Sequence, residues 1–176
     1  MSEPIGVVIV DDHSLVREGL QSLLSQFSDI RVTGEAGTIA EAVAVIGDVE
    51  PDLVLLDLRL GEEEGVEVAR QLRASGSDVT ILMLSVHDTS RHLREALAAG
   101  ADGYLLKSVA GADLAAGIRN AVAGETVIGQ EFVPKLLEDA QRGVPMGQPD
   151  VTKREQEVLE LVAEGMANRE IAEKLG

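Results

Sequence analysis

Five short aliphatic runs recur along the chain, at residues 5–10, 30–35, 53–56, 79–84 and 103–106. Three of them, 5–10, 53–56 and 79–84, are apolar almost throughout, as suits strands buried on both faces of a parallel sheet. The segments between the runs carry apolar residues at helical period. Leu15, Leu20, Leu23, Leu24 and Phe27 form one stripe, and Ile39, Ala42, Val43 and Ile46 the next. Val66, Val68, Ala69 and Leu72 follow, then Leu93, Ala96 and Leu97, then Leu114, Ile118 and Val122. Strand and helix alternate five times over residues 5–123. That pattern predicts an α/β domain with a doubly wound, five-stranded parallel sheet over 1–123.

Past residue 123 the pattern changes. Gly124, Gly129, Gly143, Pro145, Gly147 and Pro149 punctuate a stretch that reads as a linker over 124–150. One short amphipathic helix is expected inside it, around Phe132, Leu136 and Leu137. From residue 151 helical period returns. Thr152 and Glu155 have the spacing of a capping box, and Val158, Leu159, Leu161 and Val162 form the stripe that follows. Gly165 fits the C-terminal stop, and Asn168 can cap a second helix bearing Ile171, Ala172 and Leu175. Two helices joined by a short turn make 151–176 a partial all-α helix-turn-helix segment.

Composition narrows the function classes. The 176 residues hold 15 basic and 31 acidic side chains, a formal charge of −16, and aromatics are 2% of the chain. A base-stacking nucleic-acid platform needs aromatic faces, and phosphate backbones repel so acidic a protein as a whole. There is no cysteine, hence no disulfide, thiol nucleophile or cysteine-built zinc site. His13, His87 and His92 lack the spacing of a metal-binding helix. No apolar run is long enough for a signal sequence or a membrane span, so a cytoplasmic protein with no membrane association is expected.

In doubly wound sheets the working site lies beyond the carboxyl ends of the strands. Asp11 and Asp12 follow the first run, Asp57 the third, Ser85 the fourth and Lys107 the fifth. Singly, each has an ordinary reading as a turn residue, a solvated hydroxyl or a surface charge. Their joint placement at four strand ends carries the chemical reading. Converging carboxylates raise one another's pKa values, and a hard divalent cation such as Mg²⁺ resolves the repulsion. Asp57 can then serve as a carboxylate nucleophile towards a phosphoryl group. Mg²⁺, Lys107 and the Ser85 hydroxyl would stabilise charge on the transferred group.

These residues resemble the receiver domain of two-component response regulators over about residues 4–123. The resemblance is carried by Val7-Val-Ile-Val-Asp-Asp-His13, Asp52-Leu-Val-Leu-Leu-Asp57, Leu82-Met-Leu-Ser85 and Gly100-Ala-Asp-Gly-Tyr-Leu-Leu-Lys107. It implies a flavodoxin-like fold, with Asp57 as phosphoacceptor and Asp11, Asp12, Asp57 and the backbone carbonyl of Arg59 as the Mg²⁺ ligands. Ser85 and Tyr104 would be the switch pair, and Lys107 the phosphate-binding lysine. Residues 150–176 resemble the opening of a LuxR-type helix-turn-helix, through Val151-Thr-Lys-Arg-Glu-Gln-Glu-Val-Leu and Gly165-Met-Ala-Asn-Arg-Glu-Ile-Ala. Together they are similar to regulators of the NarL/FixJ type, which implies a sensor histidine kinase as partner, dimers on activation, and DNA as the target.

Three departures qualify the resemblance. Where receivers often carry Met-Pro after the phosphoacceptor, this chain has Leu60-Gly61, then Glu62, Glu63 and Glu64. A looser loop, weaker phosphate retention or a stronger Mg²⁺ requirement is expected, with Gly61→Pro slowing hydrolysis. Ser108 stands where many receivers have proline, so Lys107 must be positioned without a cis Lys-Pro bond. Arg59 and His87, two residues after Asp57 and Ser85, would flank the path of the hydrolytic water. A LuxR-type module also needs a recognition helix beyond residue 176. Residues 150–176 carry four basic against seven acidic side chains, a net of −3. The chain is therefore expected to be truncated within that module, and not to bind DNA specifically as it stands.

Rival readings meet specific obstacles. A haloacid-dehalogenase-type phosphatase wants an acid where Arg59 stands, and a dinucleotide-binding domain wants a glycine-rich first turn where Asp11-Asp12-His13-Ser14 stands. The chain is expected to be a regulator and not an enzyme. The alternative is a receiver-only binding module that works without phosphorylation.

Overall fold

The computed structural model describes residues 3–86 and 89–141. His87, the 142–150 part of the linker and the helix-turn-helix segment 151–176 lie outside the described residues. The elements run β1 (Ile5–Val10), α1 (Ser14–Leu24), β2 (Ile30–Ala36), α2 (Ile39–Val49), β3 (Leu53–Asp57), β4 (Arg59–Leu60) and β5 (Glu63–Glu64). They continue with α3 (Val66–Ala74), β6 (Thr80–Ser85), α4 (Ser90–Ala98), β7 (Gly103–Leu106), α5 (Gly111–Val122) and β8 (Val127–Ile128). A 3₁₀ turn (Gln130–Phe132) then leads into α6 (Val133–Gln141).

The main sheet has the order β2-β1-β3-β6-β7-β8 and every pairing in it is parallel. The five predicted strands are there within a residue at each end. A sixth, β8, was not predicted, because two residues are too few to show a period. Gly103 and Tyr104 pair with it. The strand order reverses between β1 and β3, which makes that crevice the topological switch point.

Alternate residues of each strand face opposite layers. Val8, Val10, Val54, Leu56, Ile81, Met83 and Tyr104 pack with residues of α2, α3 and α4, joined by Phe132 and Leu136 from the C-terminal stretch. Val7, Ile9, Leu53, Leu55, Leu82, Leu84 and Leu105 pack with residues of α1 and α5. Three apolar stripes are shifted from expectation. Leu15 is 79% exposed, and Val43 and Val122 are exposed too. Val45 packs against the core on α2, and Ala121 is buried on α5. A helix turn offers neighbouring apolar positions, and packing against the sheet chooses between them.

Arg73 ties the amino-terminal side of the sheet together. Its guanidinium donates to the carbonyls of Ser77, Val79 and Gly100 and to Asp102 Oδ2 at 2.8–3.0 Å. Asp102 Oδ2 also accepts from the Ile81 N–H at 2.9 Å. One side chain thus joins α3, the entry to β6 and the α4–β7 turn.

Candidate functional site

The carboxyl ends of β1, β3, β6 and β7 bring the predicted residues together. Asp11, one residue past β1, is 1% exposed, and Asp57, the last residue of β3, is 8% exposed. Lys107 Nζ bridges the two carboxylates, at 2.5 Å from Asp11 Oδ2 and 2.7 Å from Asp57 Oδ2. Asp12 is more exposed, and its Oδ1 lies 2.8 Å from His13 Nδ1. Asp11, Asp12, His13 and Asp57 each offer a ligand atom, all within 4.8 Å of one another.

Local backbone explains how each group is aimed. Asp11 Oδ1 accepts from the His13 N–H at 2.9 Å, an Asx-type turn that starts α1. Arg17 Nη1 donates to the Asp11 carbonyl at 2.7 Å. Lys107 is placed without any cis bond: its own N–H donates to the Ser85 carbonyl at 2.7 Å, continuing the β6–β7 pairing one step beyond the strands. Leu58 N–H likewise donates to the Leu84 carbonyl at 3.0 Å, so the chain leaves Asp57 along the neighbouring strand.

Burial drives the Asp57 carboxyl above the ordinary aspartate value. The nearby Asp11 charge pushes the same way, while Lys107 and the Arg59 N–H pull against them. For Lys107, burial disfavours the charge, but its hydrogen bonds to Asp11 and Asp57 outweigh that and hold its pKa above the usual lysine value. The pocket therefore keeps a cation against two buried carboxylates. Raised basicity makes an ionised Asp57 oxygen a better nucleophile.

Ser85 closes β6 and is 1% exposed, so it lines the buried floor and not a solvated loop. Tyr104 on β7 is fully buried and meets Phe132 edge-to-face, with ring centroids 5.0 Å apart and planes at 85°. By strand alternation Ser85 and Tyr104 fall on the same face, that of α3 and α4. Arg59 is exposed at the start of β4, and its N–H is the group that faces the Asp57 carboxylate.

Two contributors escaped the sequence reading. Residues 59–64, which read as a charged loop, form an antiparallel pair with Arg59 opposite Glu64 and Leu60 opposite Glu63. At its turn Gly61 (φ +65°) donates its N–H to Asp12 Oδ2 at 3.0 Å. Proline can neither adopt that φ nor donate, so Gly61→Pro would break this turn and not simply stiffen it. Gly65 is the second. A Cβ built there would lie 1.8 Å from the Asp57 carbonyl oxygen. A glycine between a strand-end aspartate and a helix was the available signal.

A parallel sheet with an acidic crevice at its switch point, and a lysine across it, defines the receiver class of α/β domain. Residues 7–119 match the response regulator receiver domain, and residues 150–176 match the bacterial regulatory proteins of the luxR family. The response regulator protein VraR of Staphylococcus aureus is 37% identical over 168 residues, covering 96% of this chain and 80% of that protein. Among solved structures, a LuxR-family two-component response regulator from Aurantimonas sp. SI85-9A1 superposes with a TM-score of 0.75 at 30% identity, covering 79% of this chain and 99% of that one. The receiver domain of the putative response regulator NarL from Mycobacterium tuberculosis gives 0.67 at 34% identity, covering 70% and 99%. The chain belongs to the two-component response regulators that couple a receiver to a LuxR-type DNA-binding domain. It is a regulator of transcription and not an enzyme in the ordinary sense. Among the described residues no helix is long and apolar enough to cross a membrane.

Proposed function

We propose that Asp57 is the phosphoacceptor of this regulator, with a sensor histidine kinase as the donor. The observation that carries the reading is Lys107 Nζ held between Asp11 and Asp57 at the switch point. The donor set of Asp11, Asp12 and Asp57, hard oxygens within 4.8 Å, fits Mg²⁺, with the Arg59 carbonyl as a further ligand. When bound, Mg²⁺ would offset negative charge on the phosphoryl oxygens.

An Asp57 carboxylate oxygen attacks phosphorus in line as the bond to the donor nitrogen breaks. Lys107 moves its charge from the carboxylates to a phosphoryl oxygen, and Ser85 donates its hydroxyl to another. Ser85 and Tyr104 share a face, so movement at one repacks the other against α4. That shift in a two-state equilibrium is the output, favouring dimers and, in the full-length protein, DNA binding in the cytoplasm. The receiver (1–123), linker (124–150) and helix-turn-helix (151–176) divide these tasks.

Incubation with Mg²⁺ and a small phosphodonor, read by intact mass, tests this. One added phosphate, absent in Asp57→Asn, is the expected result. No adduct with any donor refutes it, and would favour a binding module that works without phosphorylation.

A further inference from the structure

We propose that the backbone N–H of Gly61 is a positioning group for Asp12 and sets the Mg²⁺ affinity of the acidic pocket. The inference rests on reading Asp11, Asp12 and Asp57 as the cation's ligands. Those three carboxylates are not equally constrained. Asp11 and Asp57 are buried and tied to Lys107. Asp12 is exposed, on the rim, where a side chain has free rotamers to lose on binding a cation.

Two contacts restrain Asp12. His13 Nδ1 meets Oδ1 at 2.8 Å, and the Gly61 N–H donates to Oδ2 at 3.0 Å from 49 residues away in the chain. His13 is an exposed side chain, whereas Gly61 is backbone in the turn between β4 and β5. A carboxylate has about four lone-pair sites, so accepting from Gly61 leaves others to face the cation. Hydrogen bonds of this kind orient ligating carboxylates, and losing one typically costs about 10–100-fold in metal affinity.

The glycine is needed for its backbone and not for space. A Cβ at Gly61 would meet nothing within 4 Å, yet φ is +65°. That left-handed geometry is what aims the N–H at Asp12. Proline has no N–H to give, so the bond is open to this chain because Leu60-Gly61 replaces Met-Pro.

Calorimetric titration of Mg²⁺ into the whole chain, Gly61→Asn and Gly61→Pro tests the proposal. Asparagine tolerates left-handed backbone and keeps the N–H, so Gly61→Asn should bind within about twofold of the native chain. Gly61→Pro should bind about tenfold more weakly or worse. A spectroscopic readout is independent of whether the proline variant folds. In the metal-free ¹⁵N-labelled chain, the Gly61 amide proton should move upfield in Asp12→Ala as its charged acceptor is lost. Native affinity in Gly61→Pro, equal losses in both Gly61 variants, or an unmoved Gly61 amide each overturns the proposal. Failure of the native chain to bind Mg²⁺ would overturn the reading of the acidic pocket instead.

Discussion

Replacing Gly65 with alanine drives a methyl group into the backbone of the proposed phosphoacceptor. Gly65 has φ −59° and ψ −25°, which alanine adopts without strain, so the whole effect is steric. The new Cβ would lie 1.8 Å from the Asp57 carbonyl oxygen, 3.0 Å from its carbonyl carbon and 3.3 Å from the Leu58 carbonyl carbon. Cβ contacts do not fall below 3.0 Å, so the two segments must part by about 1.2 Å. Neither is soft. β3 lies between β1 and β6, Asp57 is in register with Leu84, and the Gly65 N–H is bonded to the Leu58 carbonyl at 2.7 Å. Overpacking of this kind costs about 1–3 kcal/mol, a fall in Tm of about 4–12 °C for a domain of this size. Displacing the nucleophile by about 1 Å should slow phosphoryl transfer about a hundredfold. Gly76→Ala is the control: φ is +80° and a Cβ meets nothing within 4 Å. It should lose about 1–2 kcal/mol of stability through left-handed strain, yet be phosphorylated at the native rate. Thermal melts and a time course of intact mass with a small phosphodonor read both quantities. A Gly65→Ala chain with native Tm and native labelling rate would refute the steric reasoning.

Other expectations follow from the packing and the charges. Arg73→Ala strips four hydrogen bonds from the α3–β6–β7 corner and should destabilise the chain by about 2–3 kcal/mol in urea unfolding, since its partners are part-exposed and water replaces some of them. Phe132→Ala removes a fully buried ring from Tyr104 and should cost about 3–5 kcal/mol. Tyr104 is the only tyrosine and there is no tryptophan, so loss of tyrosine near-ultraviolet dichroism reports its release. The raised Lys107 pKa means that its stabilisation is fully present below the unfolded value of 10.5 and is lost as pH rises through the higher folded value. The stability difference between the native chain and Lys107→Met should therefore shrink above pH 10.5. The raised Asp57 pKa acts in the same direction in a lower window: its contribution to stability grows as pH falls through the folded value towards 3.8, and is lost as pH rises. Urea titrations across both pH ranges check the two slopes.

The strands were legible because a buried parallel strand is apolar at every position, and Val7–Val10, Leu53–Leu56 and Ile81–Leu84 are almost nothing else. The cluster of Asp11, Asp57, Ser85 and Lys107 was legible because each sits where an apolar run stops. What stayed hidden was backbone. In the β4–β5 pair Arg59, Glu63 and Glu64 are charged and exposed and Leu60 alone is buried, so no period marks it. Gly61 acts through its N–H and Gly65 through the absence of a side chain, and neither role shows in residue type alone. Helix edges were misjudged at Leu15, Val43 and Val122, where hydrophobicity is present but the sheet is out of reach.

Locating the phosphoryl group tests the central claim most directly. Borohydride reduces an aspartyl phosphate to homoserine, so the chain is labelled with a small phosphodonor and Mg²⁺, reduced, and sequenced by peptide mass. Homoserine at position 57 alone is the predicted result. Homoserine at 11 or 12, or a borohydride-stable phosphate on Ser85, would contradict it.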